Sequence, residues 1–132
     1  MTEYILQDET YKIRGCLNNV YNELGCGFVE KVYQEALERE FLENGIPFCR
    51  DKRILIYYKG VPLRQDYYAD FLCYDKIIIE VKAVPEITGL HKCQILNYLK
   101  ATNLDLGLLV NFGETSLKVQ RFFNYRKNNN NG

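Results

Sequence analysis

Apolar residues recur at three- and four-residue spacings from about Asp8 to Leu24, where Ile13, Leu17, Val20, Tyr21 and Leu24 share one face. That period predicts an amphipathic helix. Gly25-Cys26-Gly27 interrupts it. A second helix is expected from about Val29 to Asn44. Its stripe is Val29, Val32, Tyr33, Ala36, Leu37, Phe41 and Leu42, and Asn44-Gly45, with Pro47 beyond, supplies the stop.

The period then changes. Arg53 to Tyr58 is rich in β-branched and aromatic residues, and Lys59-Gly60 turns it into Val61-Pro62-Leu63-Arg64. Tyr67 to Tyr74 and Ile77 to Val84 read as two strands joined by a short turn at Tyr74-Asp75-Lys76, with Pro85 ending the second. The latter is apolar at nearly every position, the pattern of a strand buried on both faces. Helical spacing returns from about Thr88 to Thr102, through Leu90, Ile95, Leu96 and Leu99. Leu106 to Phe112 is a compact apolar strand, and Leu117 to Phe123 alternates like an outer one.

The expected order is α-α-β-β-β-α-β-β. A helix between the Ile77 and Leu106 strands can cross over between parallel neighbours, so the chain is expected to be α/β, with an α+β-type mixed sheet flanked by helices. There is no internal repeat and no linker. One domain is expected over residues 1–125, followed by an Asn-rich tail, 126–132, with nothing to bury.

Composition narrows the function. Lys plus Arg and Asp plus Glu number 17 each, for a net charge of zero. That argues against attachment to nucleic acid or membrane by bulk positive charge, though it leaves room for a local basic strip. The cysteines (Cys16, Cys26, Cys49, Cys73 and Cys93) are odd in number, none is spaced C-x-x-C, and there is a single histidine. These counts argue against structural zinc and for scattered thiols in a reducing compartment. With no secretory signal at the N-terminus and no apolar run long enough to span a bilayer, the expected location is the cytoplasm, away from any membrane.

The chemistry sits inside the apolar strands. Glu80 and Lys82 are two apart and so project to one face. Burying charge without partners is costly. Folding the strands about the Tyr74 turn brings Asp70 beside Glu80. Two acids and a lysine would then meet, the minimum set for metal-dependent phosphodiester hydrolysis. Such a reaction needs a cation on the phosphoryl oxygens, a deprotonated water and compensation of developing charge. Mg²⁺, or Mn²⁺ in its place, prefers oxygen ligands; Asp70, Glu80 and the carbonyl of Val81 are the candidates. Lys82 would orient the water or neutralise charge.

Asp70, followed after nine residues by Glu80-Val81-Lys82, resembles the PD-(D/E)XK nuclease superfamily. Gln94 to Tyr98 is similar to the Q-x-x-x-Y element of several members. Gly27-Phe28-Val29-Glu30-Lys31-Val32-Tyr33 matches the G-x-x-E-x-x-Y signature of a small bacterial family placed there. Ala69 stands where the name-giving proline would be. The resemblance spans roughly residues 8 to 123 and implies a restriction-endonuclease-like αβββαβ core with an extra N-terminal helix. It implies a metal-dependent nuclease acting on nucleic acid, DNA in the first instance, with Glu30 reaching the metal directly or through water.

Each residue has a plainer alternative. Glu80 and Lys82 could form a buried ion pair. Asp70 could be a solvated strand residue, Glu30 an exposed helix acid and Tyr33 a core aromatic. His91, Gln94 and Tyr98 fall on one helix face and would make a substrate-orienting wall with Tyr33 nearby, but His91 could equally be a capping histidine. Tyr57, Tyr58, Tyr67 and Tyr68 could stack bases or simply be strand residues. The competing function is a non-cleaving domain that keeps the fold and binds nucleic acid or a protein partner. A homo-oligomer or protein partner could also supply the binding surface that zero net charge withholds.

Overall fold

The structure, a computed structural model, describes residues 5–124; the Asn-rich tail expected at 126–132 lies outside the described residues. Helix α1 (Gln7–Leu24) and helix α2 (Glu30–Glu43) come first, close to their expected bounds. Strands β1 (Phe48–Ile54), β2 (Tyr57–Tyr58), β3 (Val61–Pro62), β4 (Tyr67–Cys73) and β5 (Ile77–Lys82) follow, then helix α3 (Gly89–Thr102), β6 (Leu106–Asn111) and β7 (Lys118–Phe123).

Five strands form one sheet in the order β1-β4-β5-β6-β7, and β2 and β3 form a separate small hairpin. Neighbours in the large sheet are antiparallel except β5 and β6, which run parallel. α3 makes the crossover between those two, as a parallel pair requires. The mixed sheet and its helices form the restriction-endonuclease-like α+β fold expected from the sequence.

Alternation along β5 splits its side chains between two cores. Ile77, Ile79 and Val81 pack with Ile13, Leu17 and Val20 of α1 and Tyr33, Leu37 and Phe41 of α2. Ile78 packs on the opposite face with Ile95, Tyr98 and Leu99 of α3. The central strand is therefore covered on both sides, which is why its sequence is almost continuously apolar. Each fully buried Ile or Leu contributes about 1.5–3 kcal/mol.

One element departs from its expected bounds. The first strand runs from Phe48 to Ile54 rather than from Arg53 to Tyr58. β1 lies at the sheet edge and carries Arg50, Asp51, Lys52 and Arg53 along its length. Edge strands tolerate such charges, and pairing with β4, from Phe48 opposite Cys73 to Ile54 opposite Tyr67, places it. Apolar periodicity therefore gives too late a start.

Candidate active site

The β4–β5 ladder pairs Cys73 with Ile77, Leu72 with Ile78 and Phe71 with Ile79. The next opposed residues are Asp70 and Glu80, and there side chains replace the backbone ladder. The Asp70 N–H donates to Glu80 Oε1 at 3.1 Å, and the Val81 N–H donates to Asp70 Oδ2 at 2.7 Å. On the other side of β4, Asp51 lies between the Arg50–Phe71 and Lys52–Ala69 pairs, in the left-handed region at φ 53°. Ala69 and Leu72 both pack into the α3-side core although they are three residues apart. A regular strand would send them to opposite faces, so β4 is twisted at Asp70. The irregularity falls where the two acids meet.

One oxygen of each carboxylate is thus fixed by an amide. The second, Asp70 Oδ1 and Glu80 Oε2, has no hydrogen-bond partner among the described residues. The Val81 N–H points toward β4, and the carbonyl of the same residue leaves the strand on the same edge. Two carboxylate oxygens and one carbonyl therefore belong to the same β4–β5 junction.

Glu80 is only 3% exposed. Burial, with the charge of Asp70 next in importance, raises its pKa to about 8; the Asp70 amide and Lys82 act in the opposite direction. Burial likewise raises Asp70 to about 6, against the Val81 amide that favours its charged form, while Glu30 and Asp51 add repulsion and Lys82 attraction. Two carboxyls that resist ionisation because they are desolvated and adjacent are a site a cation would relieve.

Lys82 does not close on Glu80 as an ion pair. Its Nζ donates to Gln94 Oε1 at 3.3 Å, and Gln94 Nε2 donates to the Tyr98 hydroxyl at 3.2 Å. The chain Lys82–Gln94–Tyr98 links β5 to α3. Burial, then the charge of Glu80, pushes Tyr98 up to about 12, so it stays a neutral hydroxyl. The ring of Tyr67 meets that of Tyr98 edge-on, with centroids 6.3 Å apart.

Three expected participants are placed differently. His91 caps α3: its Nδ1 accepts the Thr88 N–H at 3.0 Å, while its own N–H donates to Thr88 Oγ1 at 3.5 Å. Burial, then Lys82, lowers its pKa. The capping alternative therefore describes its bonds. Tyr33 has no exposed surface, stacks on Phe112 at 4.5 Å, and donates its hydroxyl to the Gly25 carbonyl at 2.6 Å while accepting the Phe28 N–H at 3.2 Å. It ties down the α1–α2 loop, as the core-aromatic alternative has it. Glu30 opens α2 and faces both acids electrostatically, but its Oε1 accepts from Gln34 Nε2 at 3.2 Å. Among the described residues no three His, Cys, Asp or Glu side chains stand together as a metal site. Glu30 gives one oxygen to Gln34, and its charge is felt by both Asp70 and Glu80. The donor chemistry still fits a hard divalent cation, which is commonly held by one or two carboxylates with water filling the rest.

Two residues escaped the sequence reading. Asp51 owes its proximity to the β1–β4 pairing. Asn111, fully buried at the end of β6, accepts N–H groups of Val84 and Gly113, each at 3.0 Å, and donates to the Val84 carbonyl and Glu114 Oε2, each at 2.9 Å. It fixes the chain leaving β5 just past Lys82. A polar residue closing the run Leu106 to Val110 was the available signal. Gly113 permits the same approach, since a Cβ there would run into the Val84 backbone.

A family model for the PD-(D/E)XK nuclease superfamily matches residues 7–122. The crystal structure of SSO0001 is similar in fold, with a TM-score of 0.56 and 22% identity over 70% of this chain and 48% of that one. The chain thus spans about half the length of that structure. No curated protein matches it. Among the described residues no helix is long and apolar enough to cross a membrane.

Proposed function

Because the chain belongs to the PD-(D/E)XK nuclease superfamily, we propose that it is a metal-dependent nuclease that hydrolyses DNA phosphodiester bonds. The observation that carries this reading is the exchange of carboxylates for backbone in the β4–β5 ladder, with Lys82 beside them and not ion-paired to either. A protein using Glu80 and Lys82 only for stability would pair them.

Asp70, Glu80 and the Val81 carbonyl would hold the cation, Mg²⁺ or Mn²⁺. When bound, it would polarise the phosphoryl oxygens and ease deprotonation of water. Lys82, steadied by Gln94, neutralises charge that builds on the phosphate as water attacks phosphorus in line with the leaving oxygen. Tyr98 keeps the Gln94 amide oriented, so the two act as a positioning unit. Glu30 stands by as an acid whose charge both ligands feel. His91 contributes by fixing the start of α3, on which that unit rides.

The G-x-x-E-x-x-Y residues Gly27, Glu30 and Tyr33 support placement in the subfamily of that name, with Tyr33 acting as a structural tie. One domain, residues 1–125, and a reducing cytoplasmic setting for its free cysteines complete the reading. Incubating the protein with single-stranded and duplex DNA and Mg²⁺ or Mn²⁺ tests it. Cleavage that a chelator stops is expected; intact strands in every metal would favour the non-cleaving binder.

A further inference from the structure

A cleft of about 770 Å³ lies between the β2 hairpin and the side of α3 that carries Gln94 and Tyr98, a volume in the range of ligand sites. Its walls include Tyr57, Tyr67, Gln94, Asn97, Tyr98 and Lys100. Tyr57 is 57% exposed and Tyr67 45%, so both rings are open to a visitor. Gln94 and Tyr98 belong at once to this cleft and to the chain that ends on Lys82. The cleft therefore adjoins Lys82 through two of its own wall residues.

We infer that this cleft receives an unpaired base of the substrate strand, so that the site acts on single-stranded nucleic acid or on frayed ends. The inference rests on the nuclease reading for the neighbouring acids. Its argument is the chemistry of the walls. Tyrosine rings offer faces on which any base can stack. The side-chain amides of Gln94 and Asn97 provide both donors and acceptors for a base edge. Lys100, which makes no ion pair among the described residues, suits a backbone phosphate. Bases in a duplex are stacked on one another and cannot offer their faces. Duplex binding rests chiefly on many cations arrayed along two phosphate backbones, and a chain of zero net charge is poorly equipped for that. A base seated against Tyr57 and Tyr67 would lie beside Gln94 and Tyr98, the pair that ends on Lys82.

The test is fluorescence anisotropy in chelator, where nothing is cut, using labelled oligothymidylate, oligouridylate, and the first strand annealed to its complement. The parent should bind the thymidylate strand about tenfold more tightly than the duplex. Tyr57→Ala should lose about tenfold on the single strand alone, and Tyr57→Phe, which keeps the ring, should bind like the parent. Unchanged duplex binding by Tyr57→Ala shows that the variant is folded. Equal or tighter duplex binding by the parent would overturn the inference, as would single-strand binding by Tyr57→Ala equal to the parent's. Tighter binding of oligouridylate would uphold the cleft's role and move the nuclease reading from DNA to RNA. A protein that shows the single-strand preference but cuts nothing with Mg²⁺ or Mn²⁺ keeps this inference and loses the nuclease reading. One that cuts duplexes without the preference does the reverse.

Discussion

Glu80 Oε1 accepts the backbone N–H of Asp70 at 3.1 Å, so one acid is anchored by the peptide group of the other. Asp70 in turn takes the Val81 N–H. The arrangement puts side-chain oxygens on two strand amides and brings two carboxyls together in a desolvated place. Evolution toward stability alone would have kept the ladder and lost the acids.

The first consequence concerns Asp70→Asn. The amide oxygen can still accept the Val81 N–H, while the repulsion on Glu80 disappears. Without metal at pH 8 the variant should be more stable than the parent by roughly 0.5–2 kcal/mol, the usual scale of relieving a strained functional group. Urea denaturation of both proteins checks this, and a less stable variant would mean that the pair is not in mutual conflict.

pH dependence follows from the raised carboxyls. Asp70 at about 6 and Glu80 at about 8 exceed their ordinary values near 4, so the folded state binds more protons than the unfolded state across that window. Their contribution to metal-free stability is fully present below about pH 4 and is lost as pH rises through about 8. Glu80→Gln should flatten the decline between about pH 6 and 8, as thermal melts across pH would show. Metal affinity should move oppositely and strengthen with rising pH, because the cation competes with protons.

Gln94→Ala frees the Lys82 ammonium without touching a carboxylate. Cleavage should fall roughly tenfold or more, the scale of misplacing a charge-compensating group, with Mn²⁺ affinity unchanged. Tyr98→Phe should have a smaller effect in the same direction, since Gln94 retains its bond to Lys82. Single-turnover cleavage beside metal titration separates these outcomes from loss of the metal site.

Asn111→Ala would leave the Val84 peptide and the Gly113 N–H without these partners in a half-buried place. A loss of about 1–3 kcal/mol for each unmatched group is expected, together with reduced cleavage because the chain beyond Lys82 loosens. Denaturant midpoints for the variant would check the first part, and activity at saturating metal the second.

Much of this was legible in the chain. The helices and the two central strands announced themselves by period, and counting outward from the Tyr74 turn set Asp70 against Glu80. β1 was legible only in part, because an edge strand full of charges lacks apolar alternation. The link from Lys82 to Gln94 needed the packing of α3 over β5, which fixes which helix face meets the strand. Tyr33 and His91 were ambiguous for a physical reason: the same residue types serve as loop tie or helix cap and as substrate contact, and only their partners decide. Glu30 also bonds Gln34 one turn along its own helix, a local contact that a motif does not record.

The central claim, that Asp70 and Glu80 hold a catalytic cation while Lys82 serves the phosphate, is tested most directly by titration calorimetry of Mn²⁺ into the parent, Asp70→Asn and Lys82→Ala, with cleavage assayed on the same preparations. The account predicts that the parent binds and cuts, that Asp70→Asn loses most of its affinity because an amide is a poor ligand for a hard cation, and that Lys82→Ala binds at least as tightly as the parent yet does not cut. Mn²⁺ binding by Asp70→Asn as tight as the parent's would contradict it.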